Sequence, residues 1–209
     1  MKNQQLISDL LAIGAVRIET EDFFTWTSGI KSPVYCDNRL TMSYPKIRRQ
    51  IAETFVKKIN RHEPAIDVIA GCATAGIPHA AWVAEQMDLP MVYVRSSAKK
   101  HGKGNQIEGQ IEPGQRAVVI EDLISTGKSS IAAADALEKA GVEIVEVLSI
   151  FTYGLKSAEE AFTEKGYTYS AIASYENLLD QLVEENVMKA DERKLMEKWR
   201  QDPYVFTQS

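Results

Sequence analysis

Residues 118–130 read Val-Val-Ile-Glu-Asp-Leu-Ile-Ser-Thr-Gly-Lys-Ser-Ser, and no other stretch restricts the possible folds of this chain so tightly. Val118, Val119 and Ile120 are consecutive β-branched residues that run into two acids. A short unbroken apolar run of this kind fits a strand covered on both faces, the usual situation in a parallel sheet. Glu121 and Asp122 then stand at the carboxyl end of that strand, the edge at which open α/β sheets bind ligands. Ser125, Thr126, Gly127, Lys128 and Ser129 close the turn and open a helix that runs to about Ala140. Backbone N–H groups at a helix start, joined by hydroxyls, surround a phosphate well. Adjacent carboxylates would repel that phosphate. Glu121 and Asp122 therefore suit another partner, a neutral polyol or a metal ion.

Two common phosphate loops are excluded by position. Gly127-Lys128-Ser129 matches the end of a P-loop, but that motif needs a glycine five residues before Gly127, where Asp122 stands. No Gly-x-Gly-x-x-Gly follows a strand, so the dinucleotide fingerprint is missing as well.

A chain of 209 residues is one domain, or one domain with a small appendage. Its hydrophobic share of 44% is enough for a sizeable core. A net charge of −5 argues against a general nucleic-acid binder. Cys36 and Cys72 fit no metal spacing and are too few for a disulfide framework. They read as free thiols in a reducing cytosol, so a cytoplasmic protein is expected. Met1 to Gln5 lack the apolar core of a signal, and no run is long enough to cross a bilayer.

The remaining elements follow from periodicity. Leu6, Ile7, Leu10, Leu11 and Ile13 predict a first helix that stops near Gly14. Residues 15–25 and Val34 to Cys36 predict short strands about a turn at Gly29 and Pro33. That segment is either a plain hairpin or, with Lys31 and Tyr35, a surface for a flat polar ligand. Pro45 opens a helix to about Asn60, with Ile47, Ile51, Phe55 and Ile59 as its buried stripe. Strands are expected at 67–70, 90–94, 142–151 and 168–173, and helices from Ser157, Ser174 and Asp191. The first of these strands ends in Gly71-Cys72-Ala73-Thr74-Ala75-Gly76, where small residues let a ligand approach the backbone. His79 is expected to be a packed helix residue and His62 a solvated loop residue.

Between two of these strands, Arg95 to Gly109 carries Arg95, Lys99, Lys100, His101 and Lys103 among Gly102, Gly104 and Gly109. A solvated charged hairpin is the ordinary reading. A strongly basic run in an acidic chain, just before the phosphate-turn strand, is better suited to a lid over a diphosphate.

A strand, two acids, a Ser-Thr-Gly turn and a helix resemble the phosphoribosyl-diphosphate (PRPP) motif of the phosphoribosyltransferases. Phe24 to Pro33, with Thr-Ser-Gly-x-Lys-Ser-Pro inside it, and the Arg95–Gly109 segment with Lys99, His101 and Gly102 are similar to orotate phosphoribosyltransferases. The resemblance implies the type I phosphoribosyltransferase fold, an α/β parallel twisted sheet flanked by helices with a small N-terminal hood. Residues 1–209 form one such domain in this reading, with the hood at about 1–45 plus the C-terminal helices and the core at about 46–173. It implies transfer of phosphoribose from PRPP to orotate, giving orotidine 5′-monophosphate and diphosphate, with Mg²⁺ held mainly by PRPP.

The same resemblance assigns residues. Arg95, Lys99 and His101, helped by Lys100, meet the diphosphate; with Asp122 they form the expected catalytic set. Glu121 and Asp122 hold the ribose hydroxyls. The PRPP segment runs on through Leu123 and Ile124 to the 5′-phosphate loop of Ser125, Thr126, Gly127, Lys128 and Ser129. Ser125 also contacts orotate, as does Lys31. A homodimer with the lid shared between subunits is implied, with no nucleic-acid or membrane partner. The chain departs from the better-known form of the family at Thr27, at Thr74-Ala75, at Tyr35-Cys36, at Ser96 and around Tyr153-Gly154. Two other functions compete at this point: transfer to another base, and a non-catalytic PRPP-sensing regulator.

Overall fold

The structure is a computed structural model that describes residues 2–26, 29–97 and 106–207. In chain order, α1 (Lys2–Ala12) leads to β1 (Val16–Ile18), β2 (Phe24–Thr25), β3 (Lys31–Ser32) and β4 (Val34–Cys36). A 3-10 turn (Asn38–Ser43) and α2 (Pro45–Ile59) follow. Then come β5 (Val68–Cys72), α3 (Gly76–Met87), β6 (Met91–Val94), β7 (Ile107–Glu108) and β8 (Arg116–Ile124). The chain goes on through α4 (Lys128–Lys139), β9 (Glu143–Thr152), α5 (Lys156–Lys165), β10 (Tyr169–Ser174), α6 (Tyr175–Glu184) and α7 (Ala190–Gln201).

The main sheet has six strands among the described residues, in the order β10-β9-β8-β5-β6-β7. Its neighbours are parallel except for β7, which is antiparallel to β6. The sequence predicts a parallel sheet, and this edge strand is the difference. Its cause is local: Ile107 and Glu108 come back beside β6 through the loop that leaves it, and a chain that reverses in one loop pairs antiparallel. The first parallel strand, β5, lies between β6 and β8, so the winding direction switches between β5 and β8. Such a switch opens a crevice at the carboxyl ends of the two strands.

Strand β8 is buried on both faces, as its composition requires. Val118 and Ile120 pack into one apolar cluster with α1, α2, α3, α6 and α7. Ala117 and Val119 pack into a second with α4 and α5. Full burial of one such aliphatic side chain contributes roughly 1.5–3 kcal/mol, so β8 is firmly held beside the crevice. It runs two residues past the acids expected at its carboxyl end, to Ile124.

Two short antiparallel pairs, β1 with β4 and β2 with β3, lie outside the main sheet. The β2–β3 hairpin is held by residues far along the chain. Trp199 is fully buried and meets Trp26, Tyr153 and Tyr175 edge-on, at 5.6, 5.9 and 5.4 Å between centroids. Its Nε1 donates to the Lys31 carbonyl at 3.1 Å. The Lys31 N–H donates to Thr207 Oγ1 at 3.1 Å, and Phe206 stacks on Phe23 at 4.5 Å. Buried aromatic contacts of this geometry add to simple area burial.

His79 is packed on α3, as expected, whereas His62 departs from expectation. His79 is 1% exposed. His62, expected in solvent, has its Nε2 2.9 Å from Glu146 Oε2 on β9. The two are 84 residues apart, so no local pattern signals the pair. Both cysteines are free thiols, and no helix among the described residues is long and apolar enough to cross a membrane.

Candidate active site

Three adjoining cavities meet at Leu123, which lines all of them. All three lie at the carboxyl ends of the strands, around the switch point between β5 and β8. Their walls come from different elements and have different chemistry.

The first, about 430 Å³, is walled by Ser125, Thr126, Gly127, Lys128 and Ser129 on one side and by Arg95, Ser96 and Gln106 on the other. Gly127 begins α4 with φ +78°, a left-handed conformation that a side chain disfavours. A Cβ there would also strike the Phe162 ring. The turn is thus pressed onto the buried ring of α5, and the residues that open α4, whose N–H groups have no helical acceptor, line the cavity. Thr126, Lys128 and Ser129 are exposed, so an anion meets hydroxyls and an ammonium before it is desolvated.

Opposite the turn, the basic segment leaves and rejoins the sheet through a closed base. The Arg95 N–H donates to the Gln106 carbonyl at 2.9 Å, and Gln106 Nε2 donates to the Arg95 carbonyl at 2.7 Å. The Arg95 guanidinium lies 3.6 Å from the Glu108 carboxylate. A lone glutamine in a glycine-rich run has no signature, so the place of Gln106 is not legible in the sequence. Thr27, Lys99, Lys100, His101 and Lys103 lie outside the described residues.

The second cavity, about 690 Å³, contains the acids. Glu121, Asp122 and Asp37 line it together with Arg39, Ala73, Thr74 and Ala75. The peptide between Ala73 and Thr74 is cis. At its back, Gly76 of α3 sits directly on β8. A Cβ there would overlap the Ile120 carbonyl, so only glycine allows this approach. Asp37 is held by Arg39 through two hydrogen bonds of 2.6 and 2.8 Å, and this contact lowers its pKa.

The two adjacent acids differ in environment. Asp122 is half-buried, whereas Glu121 is 4% exposed. Glu121 accepts from the Asp122 N–H at 3.0 Å, from Ser129 Oγ at 3.1 Å and from Ser130 Oγ at 3.2 Å. It therefore ties β8 to the first turn of α4. Burial, and then the charge of Asp122, push its pKa up to about 7. Ser130, fully buried and one residue beyond the expected phosphate loop, belongs to this arrangement as well.

The third cavity, about 270 Å³, lies under the β2–β3 hairpin and is walled by Thr25, Trp26, Tyr35, Cys36, Ser125 and Tyr153. Tyr153 is set by the end of β8. Its N–H and Thr152 Oγ1 both donate to the Ile124 carbonyl at 3.1 Å. Aromatic walls with a few hydroxyls suit a small planar ring. Ser125, like Leu123, is shared with the first cavity, so the ring lobe and the anion lobe touch at these two residues. Lys31 is not part of this wall. It lines a separate cavity of about 330 Å³ with Glu21, Asp22, Phe23 and Phe206.

An anion lobe, an acidic lobe and an aromatic lobe in contact can hold a phosphorylated sugar against a flat heterocycle. Known proteins resemble the chain along these same elements. Residues 43–172 match the family model of the phosphoribosyl transferase domain. An orotate phosphoribosyltransferase of Fusobacterium nucleatum is 56% identical over 202 residues, 96% of each chain. One from Listeria monocytogenes is 51% identical over 200 residues, again 96% of each. Among solved structures, the orotate phosphoribosyltransferase of Aeropyrum pernix superimposes with a TM-score of 0.74 at 28% identity, over 85% of this chain and 98% of that one.

Proposed function

The chain belongs to the orotate phosphoribosyltransferase family, and we infer from that premise how its three lobes divide the work. It transfers the phosphoribosyl group of PRPP to orotate, giving orotidine 5′-monophosphate and diphosphate, a step of pyrimidine synthesis. The observation that carries the division of labour is the meeting of the three lobes at Leu123.

The turn from Ser125 to Ser129 takes the 5′-phosphate, with the α4 N-terminus supplying N–H donors. Asp122 takes the ribose hydroxyls, and Glu121 braces the turn beside it while facing the same cavity. The aromatic lobe takes orotate between Trp26, Tyr35 and Tyr153, with Ser125 at the junction. Cleaving the bond from C1 to diphosphate builds positive charge on the ribose and negative charge on the leaving group. Fixed cations on the diphosphate then lower the barrier, and a few such contacts supply several kcal/mol. Arg95 stands at the mouth of the first cavity for this task, and Lys99, Lys100 and His101 complete it from the lid. No covalent intermediate with the protein is required.

The residues present fit Mg²⁺ carried largely by the substrate. Asp122 and Asp37 line the acidic cavity, and such ions bind through one or two carboxylates with the rest supplied by phosphate oxygens and water. When bound, the ion neutralises charge on the diphosphate. The enzyme acts as a homodimer in the cytoplasm, the lid of each subunit closing over its neighbour's site.

The test is the loss of orotate absorbance when PRPP and Mg²⁺ are added to the purified protein. Rapid loss that stops without Mg²⁺, and no transfer to uracil, adenine or hypoxanthine, is the expected result. Transfer to one of those bases instead of orotate would overturn the assignment of the aromatic lobe.

A further inference from the structure

Asn38 has no role in the reading so far, yet it is the only fully buried side chain amide that reaches the acid pair among the described residues. It is 0% exposed and opens the 3-10 turn after β4. Its Nδ2 donates to the main-chain carbonyl of Asp122 at 2.7 Å, across 84 residues of sequence.

The reason a side chain is needed there lies in the sheet. The ladder between β5 and β8 ends at the pair Gly71–Ile120. Beyond it, the Ala73 N–H turns away and donates to the Val94 carbonyl at 2.9 Å. The Arg116 carbonyl accepts from Asp67 N–H on the β5 side. The Asp122 carbonyl lies two residues past the last β5–β8 pair and accepts from Asn38. A buried carbonyl without a donor costs about 1–3 kcal/mol. Asn38 supplies a donor to that carbonyl just beyond the last β5–β8 pair, at the residue that carries the acid.

Asn38 is itself held. Thr41 Oγ1 donates to the Asn38 carbonyl at 2.6 Å. That uses the single proton of Thr41, so the 3.4 Å contact between Thr41 Oγ1 and His79 Nε2 requires the proton on Nε2. The arrangement is consistent with a neutral ring, since burial lowers the pKa of His79 to about 4. His79 Nδ1 then has no partner among the described residues. A chain of polar contacts thus links α3, the 3-10 turn and β8.

We propose that Asn38 is a positioning residue for PRPP use: by holding the Asp122 backbone where β5 departs, it fixes the Asp122 carboxylate toward the ribose hydroxyls. The inference rests on the ribose role given to Asp122 above. It predicts a loss confined to one substrate, because Asn38 and Thr41 line none of the three lobes.

A double-mutant cycle tests it, using steady-state kinetics of the full-length enzyme with each substrate varied in turn. Asn38→Leu is expected to lower kcat/KM for PRPP about tenfold and to leave KM for orotate within about twofold. In an Asp122→Asn background the same change should cost less than about twofold, since the carboxylate it positions is gone. Equal factors in both backgrounds, or equal losses for both substrates, would show a merely structural role and overturn the proposal. Thr41→Val provides a second arm if Asn38→Leu does not fold, with about a threefold loss expected in the native background and none with Asp122→Asn. Should Asp122→Asn alone leave PRPP use unchanged, the ribose assignment fails first and the positioning role falls with it. Should Asp122→Asn impair PRPP use while the second change multiplies it, only the positioning role fails.

Discussion

Glu121 and Asp122 are neighbours of the same chemical type, and the backbone alone makes them different. The strand sends successive side chains to opposite faces, so Glu121 is pressed among Ser129, Ser130 and Cys72 while Asp122 stays half-buried, although both line the acidic cavity. The raised pKa of Glu121 gives a pH test with a definite sign. Below its ordinary value of 4.5 the group is neutral in both folded and unfolded chains. Between that value and about 7 the folded chain keeps a proton that the unfolded chain gives up. Its contribution to stability therefore falls as pH rises through this window. Glu121→Gln cannot ionise and escapes the fall. The melting temperature of the variant, relative to the native chain, should rise between pH 5 and pH 8. A difference that stays constant with pH would mean that Glu121 is ionised throughout.

Among the elements, the contact between α3 and β8 sets the depth of the acidic lobe. It is made by backbone against backbone at Gly76, where a methyl group would overlap the Ile120 carbonyl. Gly76→Ala should lower unfolding free energy by about 1–3 kcal/mol in urea titrations, as overpacking does, and raise KM for PRPP because β8 must shift. Gly166→Ala is the control: its Cβ meets nothing within 4 Å, and only its φ of +73° is unfavourable. It should cost about 1 kcal/mol and leave PRPP use alone. Elements with a repeating pattern were legible in the sequence. The stripe Ile47, Ile51, Phe55 and Ile59 repeats along α2 and is buried throughout, and Ser174 caps α6 by accepting from the Asn177 N–H, as its residue type suggests. The fold and the phosphate turn follow from such local signals. Strand β7 was not legible, since two residues have no period. Nor was the grip of Asn38 on Asp122 or of His62 on Glu146, because each depends on where a distant segment comes to lie.

At the scale of the whole molecule, the proposed homodimer makes a subunit an incomplete catalyst. Lys99→Ala should mainly lower kcat, because a lid cation acts most strongly on the leaving diphosphate. Mixed with Asp122→Asn chains and allowed to exchange, the inactive pair should recover about a quarter of native activity, from mixed dimers that keep one complete site. No recovery would place the lid over its own subunit's site. A different consequence follows from the bonds that Trp199 and Thr207 make to Lys31, which join residues 168 and 176 positions apart. On the ribosome the hairpin emerges early and waits for these partners while nearly the whole sheet is translated. The anion and acidic lobes are built from segments that can associate as they emerge, whereas the roof over the aromatic lobe has to wait. A nascent chain thus acquires the two proposed substrate sites in sequence, and the one assigned to the base comes last.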